Sequence, residues 1–352
     1  MGLLDEIEYR SLVTKYDNFM APAMVLKVNE VSVSKLSGIT ISQVNVQLSI
    51  DYVCSANFTL EDVYDLKTRS FSALVKKTFL PGSTISIALG YGSSTTMVFR
   101  GYIHELSYSF SDAPRISVTA LDVRRLMMMN KENRTFRDKS YSEIFNEVME
   151  KYSSVYSGKV VEPLVDKVER MAQTVSDYEF VINELCKKAD KEFYVLAGKV
   201  YFQTKSKNPK SLITLTWGEN LFHFNISRSY RNEEVAVYGI DGKKLMVGKE
   251  TVKGDGQSKT LMTAPLKHEI VSPNVKDQKG AKTMANNVAE KRKESSKSGS
   301  GSCIGLPELV PGRYITIANV DIDGNADLKG YVTSVQHSFD DNGFTTEFEL
   351  GG

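Results

Sequence analysis

The stretch PGRYITIANV at 311–320 repeats, with substitutions, the stretch PGSTISIALG at 81–90. Each begins with Pro-Gly and continues with apolar residues at alternate positions. The likeness extends downstream, since a Gly-Tyr pair falls 20 residues after the first proline and 19 after the second, at Gly101 and Gly330. In both copies, Ser-Phe follows that glycine by eight residues.

Two explanations of this repetition are open. Pro-Gly before an alternating strand is common turn chemistry, because glycine adopts positive φ and proline fixes its own φ. That explanation covers only one element, however. Three landmarks in the same order at nearly matched spacing favour an internal duplication of a strand-turn-strand unit. We therefore predict two similar β units in one chain.

Length and charge set the broad class. A chain of 352 residues is long enough for two or three domains, and 41% hydrophobic with 25% charged residues is typical of a globular protein. The 44 basic and 43 acidic residues nearly cancel, so no overall field favours specific nucleic-acid or membrane binding. The start, MGLLDEIEYRSLVTKYDNF, lacks an apolar run typical of a signal peptide or a spanning helix. We expect the protein to be made and folded in the cytoplasm.

The first third of the sequence reads as antiparallel strands. Segments at 39–50, 84–89, 97–110 and 115–121 alternate apolar with polar residues, and several such strands must curl into a sandwich or barrel to bury one face. We predict a first all-β unit, a sandwich or barrel, over 1–131.

A helical period begins at Ser140. SYSEIFNEVMEKY (140–152) has a capping box, Ser140 with Glu143, and Ser176 with Glu179 repeats the device in SDYEFVINELCKKA (176–189). Two short strands turning at Ala197-Gly198 in EFYVLAGKVYFQ (192–203) provide a surface for these helices to cover. We predict an inserted α/β module over 132–207.

Alternation resumes at 212–217, 221–230 and 233–240, which predicts a second β unit over 208–352. Strands of 208–240 could instead complete the first barrel. The polar stretch 241–260 predicts an exposed loop or a mobile hairpin. DQKGAKTMANNVAEKRKESSK (277–297) predicts a helix with a narrow apolar stripe and a solvated basic face. The fold class is thus mainly β with an α+β insert.

The sequence offers no set of residues that we would assign to catalysis, metal binding or a cofactor. The histidines are isolated, and no pair has metal-ligand spacing: His104, His223, His268 and His337. Three cysteines, Cys54, Cys186 and Cys303, have no paired spacing and read as small core or surface thiols. Asp321–Asn325 begins like a calcium loop, but Val332 stands at the twelfth position, so a polar turn is expected.

Two stretches resemble the late control gene D family of contractile-tail baseplate hubs, which is related to the amino-terminal part of type VI secretion spike proteins. The segment 173–202 has a Ser-Asp-x-x-Phe helix opening at Ser176, Asp177 and Phe180. The segments 303–317 and 330–350 match the family at further structural positions: Gly305, Pro307, Pro311, Gly312, Gly330, Tyr331 and His337. The resemblance is strongest over 132–352, and such motifs specify packing and turns.

This resemblance implies that 1–131 and 208–352 are two similar tube-like β-barrel domains. It further implies a structural, non-enzymatic homotrimer, whose six barrels adapt a six-fold tail tube to a three-fold spike. The implied partners are a tail tube protein, baseplate wedge proteins, a tape measure protein and a spike that is a separate polypeptide, since no oligonucleotide-fold domain follows. The implied location is the baseplate of a phage or bacteriocin tail. The alternatives are a distal tail or tube-initiator protein, and a β-rich cell-wall adhesin or envelope hydrolase. We expect Trp217 in the core, which disfavours the adhesin.

Overall fold

The computed structural model describes residues 3–33, 39–205, 210–241, 244–254, 261, 264–272, 275, 277–294, 297–322 and 327–351. The chain is mainly β with an inserted helix-and-hairpin module, as predicted.

The first β unit follows a short amino-terminal helix, α1 (Tyr9–Lys15), and a 3-10 turn, Asp17–Phe19. Its strands alternate buried and exposed residues, because one face of each covers the core. They are β1 (Pro22–Val28), β2 (Val31–Ser32), β3 (Thr40–Ser49), β4 (Ser55–Glu61), β5 (Tyr64–Asp65), β6 (Ser70–Phe71), β7 (Thr84–Tyr91), β8 (Ser94–Ser109) and β9 (Arg115–Leu121), with α2 (Ala73–Thr78) before β7.

The inserted module has its own hydrophobic core. Both predicted capping boxes are present, and the hairpin turns at Ala197 (φ 48°) and Gly198 (φ 76°). Its elements are α3 (Val123–Met129), β10 (Arg134–Ser140), α4 (Tyr141–Glu150), β11 (Gly158–Val161), β12 (Lys167–Gln173), α5 (Asp177–Phe180), a π-helical turn (Val181–Cys186), α6 (Lys187–Ala189), β13 (Glu192–Leu196) and β14 (Lys199–Gln203).

The rest of the chain contains a second β unit and a small separate layer. The second β unit consists of β15 (Ile213–Thr216), β16 (Leu221–Arg228), and, later in the chain, β20 (Lys297–Ile304), β21 (Tyr314–Ala318), β22 (Asp327–Asp340) and β23 (Gly343–Gly351). Between them, β17 (Asn232–Asp241), β18 (Lys244–Lys253) and β19 (Leu266–Val271) form a three-stranded sheet under α7 (Gln278–Glu294). Ala281 and Ala285 of α7 are fully buried in this third core, as the apolar stripe predicted.

The two β units share one sheet and one core. The strand order is β16-β20-β23-β22-β3-β4-β9-β8-β7-β1-β2, and β21, with β15 beyond it, pairs with β22. Both strands of 208–228 join the second unit, since β15 pairs with β21 and β16 with β20. One cluster of buried side chains extends from Leu26 in β1 to Leu350 in β23.

Candidate functional site

The two Pro-Gly turns have the same backbone geometry. Gly82 and Gly312 have φ of 88° and 87°, a left-handed conformation that favours glycine. The Gly82 N–H donates to the Ile103 carbonyl at 2.8 Å, and the Gly312 N–H donates to the Val332 carbonyl at 2.9 Å. The repeat read from the sequence is therefore a repeat in structure.

The Gly-Tyr pairs also occupy one register. Gly101 lies opposite Ile85, and Gly330 lies opposite Ile315. A Cβ on Gly330 would lie 2.6 Å from a methyl carbon of Leu350, so only glycine fits without a shift of that side chain. A comparable clash with backbone occurs at Gly101.

A β-bulge follows at the same place in both units. The register shifts between Ile103 and Glu105 in β8, and between Val332 and Ser334 in β22. A bulge bends its strand and increases its twist. Beyond the bulge, β8 no longer pairs with β7, and β22 no longer pairs with β21. Each strand continues with one edge that has no partner within its own unit.

In the second unit, this edge joins the first unit. β22 pairs antiparallel with β3, from Ser334 opposite Ser49 to Phe339 opposite Val44. His337 lies in this joint, is fully buried, and its Nδ1 is 3.0 Å from the Thr346 hydroxyl. Burial lowers the pKa of His337 to about 3, so the ring is neutral at pH 7.

In the first unit, the corresponding edge of β8 is open. No strand among the described residues pairs with it beyond Ile103 on this side. Tyr108, the counterpart of the buried His337, is 47% exposed, and Phe110 is 68% exposed. Phe71 packs edge-on against both rings, at 5.3 and 5.5 Å between centroids. The segment is an ordered edge with an apolar face.

A second edge lies at the opposite end of the sheet. Within the described part of the chain, β16 forms a ladder only with β20 and stands first in the strand order. Its first residue, Leu221, also forms an isolated bridge with Trp217. Phe222 near its start is 55% exposed. Trp217, which we expected in the core, lies just before this strand and is 48% exposed. That prediction was wrong, because Trp217 follows the end of β15 and forms only an isolated bridge with Leu221.

The signature residues of the module organise its interior. Ser176 caps α5, and its hydroxyl accepts from the Glu179 N–H at 3.3 Å. Asp177 is fully buried and accepts from Tyr152 at 2.6 Å and from Gln173 at 2.7 Å. Further donors to it are Asn130 at 2.9 Å, Lys151 at 3.0 Å and Arg134 at 3.1 Å. Burial raises the pKa of Asp177, but the hydrogen bonds, of which that from Tyr152 has the largest effect, outweigh burial. The pKa of Asp177 therefore lies below its ordinary value.

Phe180, the last signature residue of this motif, is fully buried and stacks on Phe136 at 5.5 Å. The π-helical turn that follows begins at Val181. Such a turn has no signature in the helical period of the sequence.

Four signature residues of the second motif, Gly305, Pro307, Pro311 and Gly312, lie in a buried loop before β21. Gly305 fits because a Cβ there would lie 2.2 Å from the Phe344 ring, and Pro307 and Pro311 are buried. Sequence reasoning missed two charged residues of this loop. Glu308 is 4% exposed and accepts from Lys15 at 2.6 Å, from Tyr16 at 2.8 Å and from Thr96 at 3.1 Å. Arg313 is fully buried and donates to the carbonyls of Leu3 and Asp5.

One hydrogen bond and one close approach of backbone to a ring join the module to the second unit. The Tyr331 hydroxyl donates to Glu192 at 2.7 Å, and a Cβ on Gly312 would lie 3.2 Å from the Tyr194 ring. These signature residues therefore position one unit against another.

A buried ion pair joins the module to the first unit, and no local pattern in the sequence indicates it. Arg124 and Asp122 are 2.7 Å apart and essentially unexposed. Arg124 also donates to the Ser49 carbonyl at 3.0 Å and to Cys54 Sγ at 2.9 Å. Burial raises the pKa of Cys54 to about 12, and its thiol donates to the Val195 carbonyl at 3.4 Å. All three cysteines are buried, which makes them core thiols.

The histidines stay apart, as predicted, on β8, β16, β19 and β22. Across the described ranges, no group of three or more His, Cys, Asp or Glu side chains could hold a metal ion. None of the helices described is both long and apolar enough to cross a bilayer. Of the expected turn at 321–325, residues 323–325 lie outside the described residues. Within 241–260, Lys244–Lys253 forms β18 as the hairpin partner of β17, and 242–243 and 255–260 lie outside them.

Comparison with known families identifies the family of the chain. The family model described as Alg8 N-terminal domain matches residues 23–341. The chain belongs to this family. No curated protein matches the sequence.

Solved structures share the fold of this chain. The tail protein from Neisseria meningitidis MC58 has a TM-score of 0.69 at 11% identity, covering 95% of this chain and 97% of its own. The 43 kDa tail protein of prophage MuSo2 from Shewanella oneidensis has a TM-score of 0.67 at 15% identity, covering 93% and 97%. The E. coli c3393 protein, a type VI secretion component similar to T4 tail proteins gp27 and gp5, has a TM-score of 0.59 at 11% identity, covering 92% and 75%. The predicted resemblance to tail hubs and secretion spikes is confirmed at the level of the fold.

Proposed function

We propose that this protein is the structural, non-enzymatic hub of a contractile tail or a tail-like bacteriocin. In this role, a homotrimer joins the six-fold tail tube to a three-fold spike. One observation carries the proposal: two equivalent β units are joined edge to edge through β22 and β3, and the equivalent edge of β8 is open. Repeating that joint between chains would alternate first and second units around a ring, with six units from three chains.

The ring accounts for the two open edges. Exposed strand edges invite uncontrolled association, so native proteins cover or pair them. Because β8 and β16 are different surfaces, their contact is head-to-tail, which generates a closed ring or an open filament. Of these two assemblies, the closed ring is the one that could cap the end of a tail tube.

The proposed partners are the tail tube, a separate spike, baseplate wedge proteins and the tape measure protein, and the proposed location is the virion baseplate. The proposed domains are 1–131, 132–207 and 208–352. The role of the signature residues supports a structural function, since they act in capping, turns and inter-unit contacts.

Electron-microscopy class averages of the purified protein, with its tube and spike added if it stays monomeric alone, test the proposal. A ring with a central hole and a near six-fold outline is expected. Compact monomers that persist with both partners present would contradict it. Clearing of purified cell walls that is lost on mutation of an adjacent acidic pair, Asp340-Asp341 or Glu61-Asp62, would contradict the non-enzymatic role.

A further inference from the structure

The joint inside the chain specifies the joint between chains, residue by residue. One row of paired residues crosses four strands in each unit: Val46, Ala56, Ala120 and Ile103 in the first, and Ile226, Gly299, Leu350 and Val332 in the second. These rows make β3 the counterpart of β16, and β8 the counterpart of β22. Tyr108 and His337 correspond, since each lies five residues beyond the row.

We propose that the β8 edge of one copy pairs antiparallel with β16 of another copy, with Tyr108 opposite Ile226. The register is that of His337 opposite Val46 within the chain. The inference deepens the proposed function, and it rests on that function only for the number of copies in the ring.

On the apolar face, two of the three pairs fit this register, and the third places Leu106 opposite Arg228. The pair on the polar face also fits. In the observed joint, Val335 and Phe339 face Leu48 and Val44, while Gln336 faces Gln47 on the other side of the sheet. The proposed pairing likewise places Phe110 opposite Phe224, and Tyr108 opposite Ile226, on one face. It places two exposed serines, Ser107 and Ser227, opposite each other on the other face. A shift by one residue would bring aromatic rings against the polar face.

The exposed fractions of two corresponding side chains show that the β8 edge lacks a covering strand. His337 is fully buried by the joint, whereas its counterpart Tyr108 is 47% exposed. Main-chain pairing and burial of the apolar face would both be gained on association, as in strand addition to a sheet edge. A second copy of the chain is the occupant for which the molecule already contains a matched strand.

Hydrogen-bond alternation selects the position for a test. The Ile50 N–H donates to the Thr333 carbonyl in the register of the observed joint. Thr333 and Ile50 are therefore a hydrogen-bonded pair, and such pairs alternate with non-hydrogen-bonded ones along an antiparallel ladder. Gln336 and Gln47 lie three residue pairs further along, so they form a non-hydrogen-bonded pair. Ser107 and Ser227 inherit this geometry, in which Cα atoms lie about 4.5 Å apart, within disulfide range.

The experiment mixes full-length Ser107→Cys and Ser227→Cys chains, oxidises them and resolves the products on a non-reducing gel. The native cysteines are buried, so they do not compete. We expect at least about tenfold more disulfide-linked dimer than from either variant alone, or from Ser107→Cys mixed with Asn225→Cys. Partners displaced by two residues lie about 7–8 Å apart, too far for a disulfide. Thermal unfolding of each variant verifies the fold.

Equal linking with Asn225→Cys, or no linked dimer in any mixture, would overturn the pairing. A chain carrying both Ser107→Cys and Ser227→Cys separates this result from the proposed function. Linked species that end at a closed trimer support both. Linked species that extend to long polymers support the pairing and contradict the three-chain ring.

Discussion

His337 at the joint of the two units makes the stability of this protein sensitive to mild acid. Its pKa of about 3 in the folded protein lies below the ordinary value of 6.5, because the fully buried ring is shielded from water. Between these two pH values the unfolded chain binds more protons than the folded one. Stability is therefore fully present above pH 6.5 and is lost as the pH falls toward 3.

The size of the effect follows from the linkage. Each pH unit well inside this window costs about 1.4 kcal/mol per proton, so this group removes about 2 kcal/mol of unfolding free energy between pH 7 and pH 5. His337→Gln removes the titration, and its amide can still bond with Thr346. We expect the variant to lose about 2 kcal/mol less than the wild type over this interval.

Urea unfolding followed by circular dichroism at pH 7 and pH 5 measures the difference. Carboxyl groups that titrate in the same range contribute equally to both proteins and cancel. His223→Gln, at an exposed position of β16, is the matched control for the histidine-to-glutamine replacement itself. An identical loss in wild type and His337→Gln would refute the reasoning, since it would mean that the buried ring accepts a proton without cost.

Two further predictions concern the turns and the module. Gly82→Ala is expected to cost about 1 kcal/mol, because its φ is left-handed but its surroundings are open. Gly312→Ala is expected to cost more, because Cβ would also press on the buried Tyr194 ring; thermal unfolding gives the order, and the reverse order would contradict the packing argument. Asp177→Asn is expected to destabilise by about 3 kcal/mol, since it leaves cationic donors uncompensated, whereas exposed Asp166→Asn should be neutral by urea unfolding. Equal effects of these two would show that the network is not stabilising.

The elements that could be read from the sequence are those fixed by neighbouring residues. The two capping boxes need only a serine and a glutamate three residues later, and the hairpin at Ala197-Gly198 needs two residues that adopt positive φ. The repeated Pro-Gly and Gly-Tyr landmarks were also readable, because each glycine occupies a backbone position that excludes a Cβ or requires positive φ.

The features that could not be read depend on partners distant in the chain. Arg313 is buried because carbonyls of the amino-terminal segment accept its hydrogen bonds, and Glu308 is buried because Lys15 reaches it. Neither contact leaves a local pattern. β18 reads as a polar loop because its sequence is polar, but its glycine at 248 lets α7 approach closely: a Cβ there would lie 2.2 Å from the Ala281 carbonyl oxygen.

The pairing of β22 with β3 explains why the duplication itself could be found while its purpose could not. The repeat is a property of one strand-turn-strand unit, and its landmarks recur because each unit must fold in the same way. The joint is a relation between units: the segment 334–339 carries both the β23 ladder and the β3 ladder. Its counterpart in β8 carries only the β9 ladder among the described residues and exposes Tyr108 where β22 buries His337. The two copies have therefore diverged at the position where one edge is covered by its own chain and the other is available to a second copy.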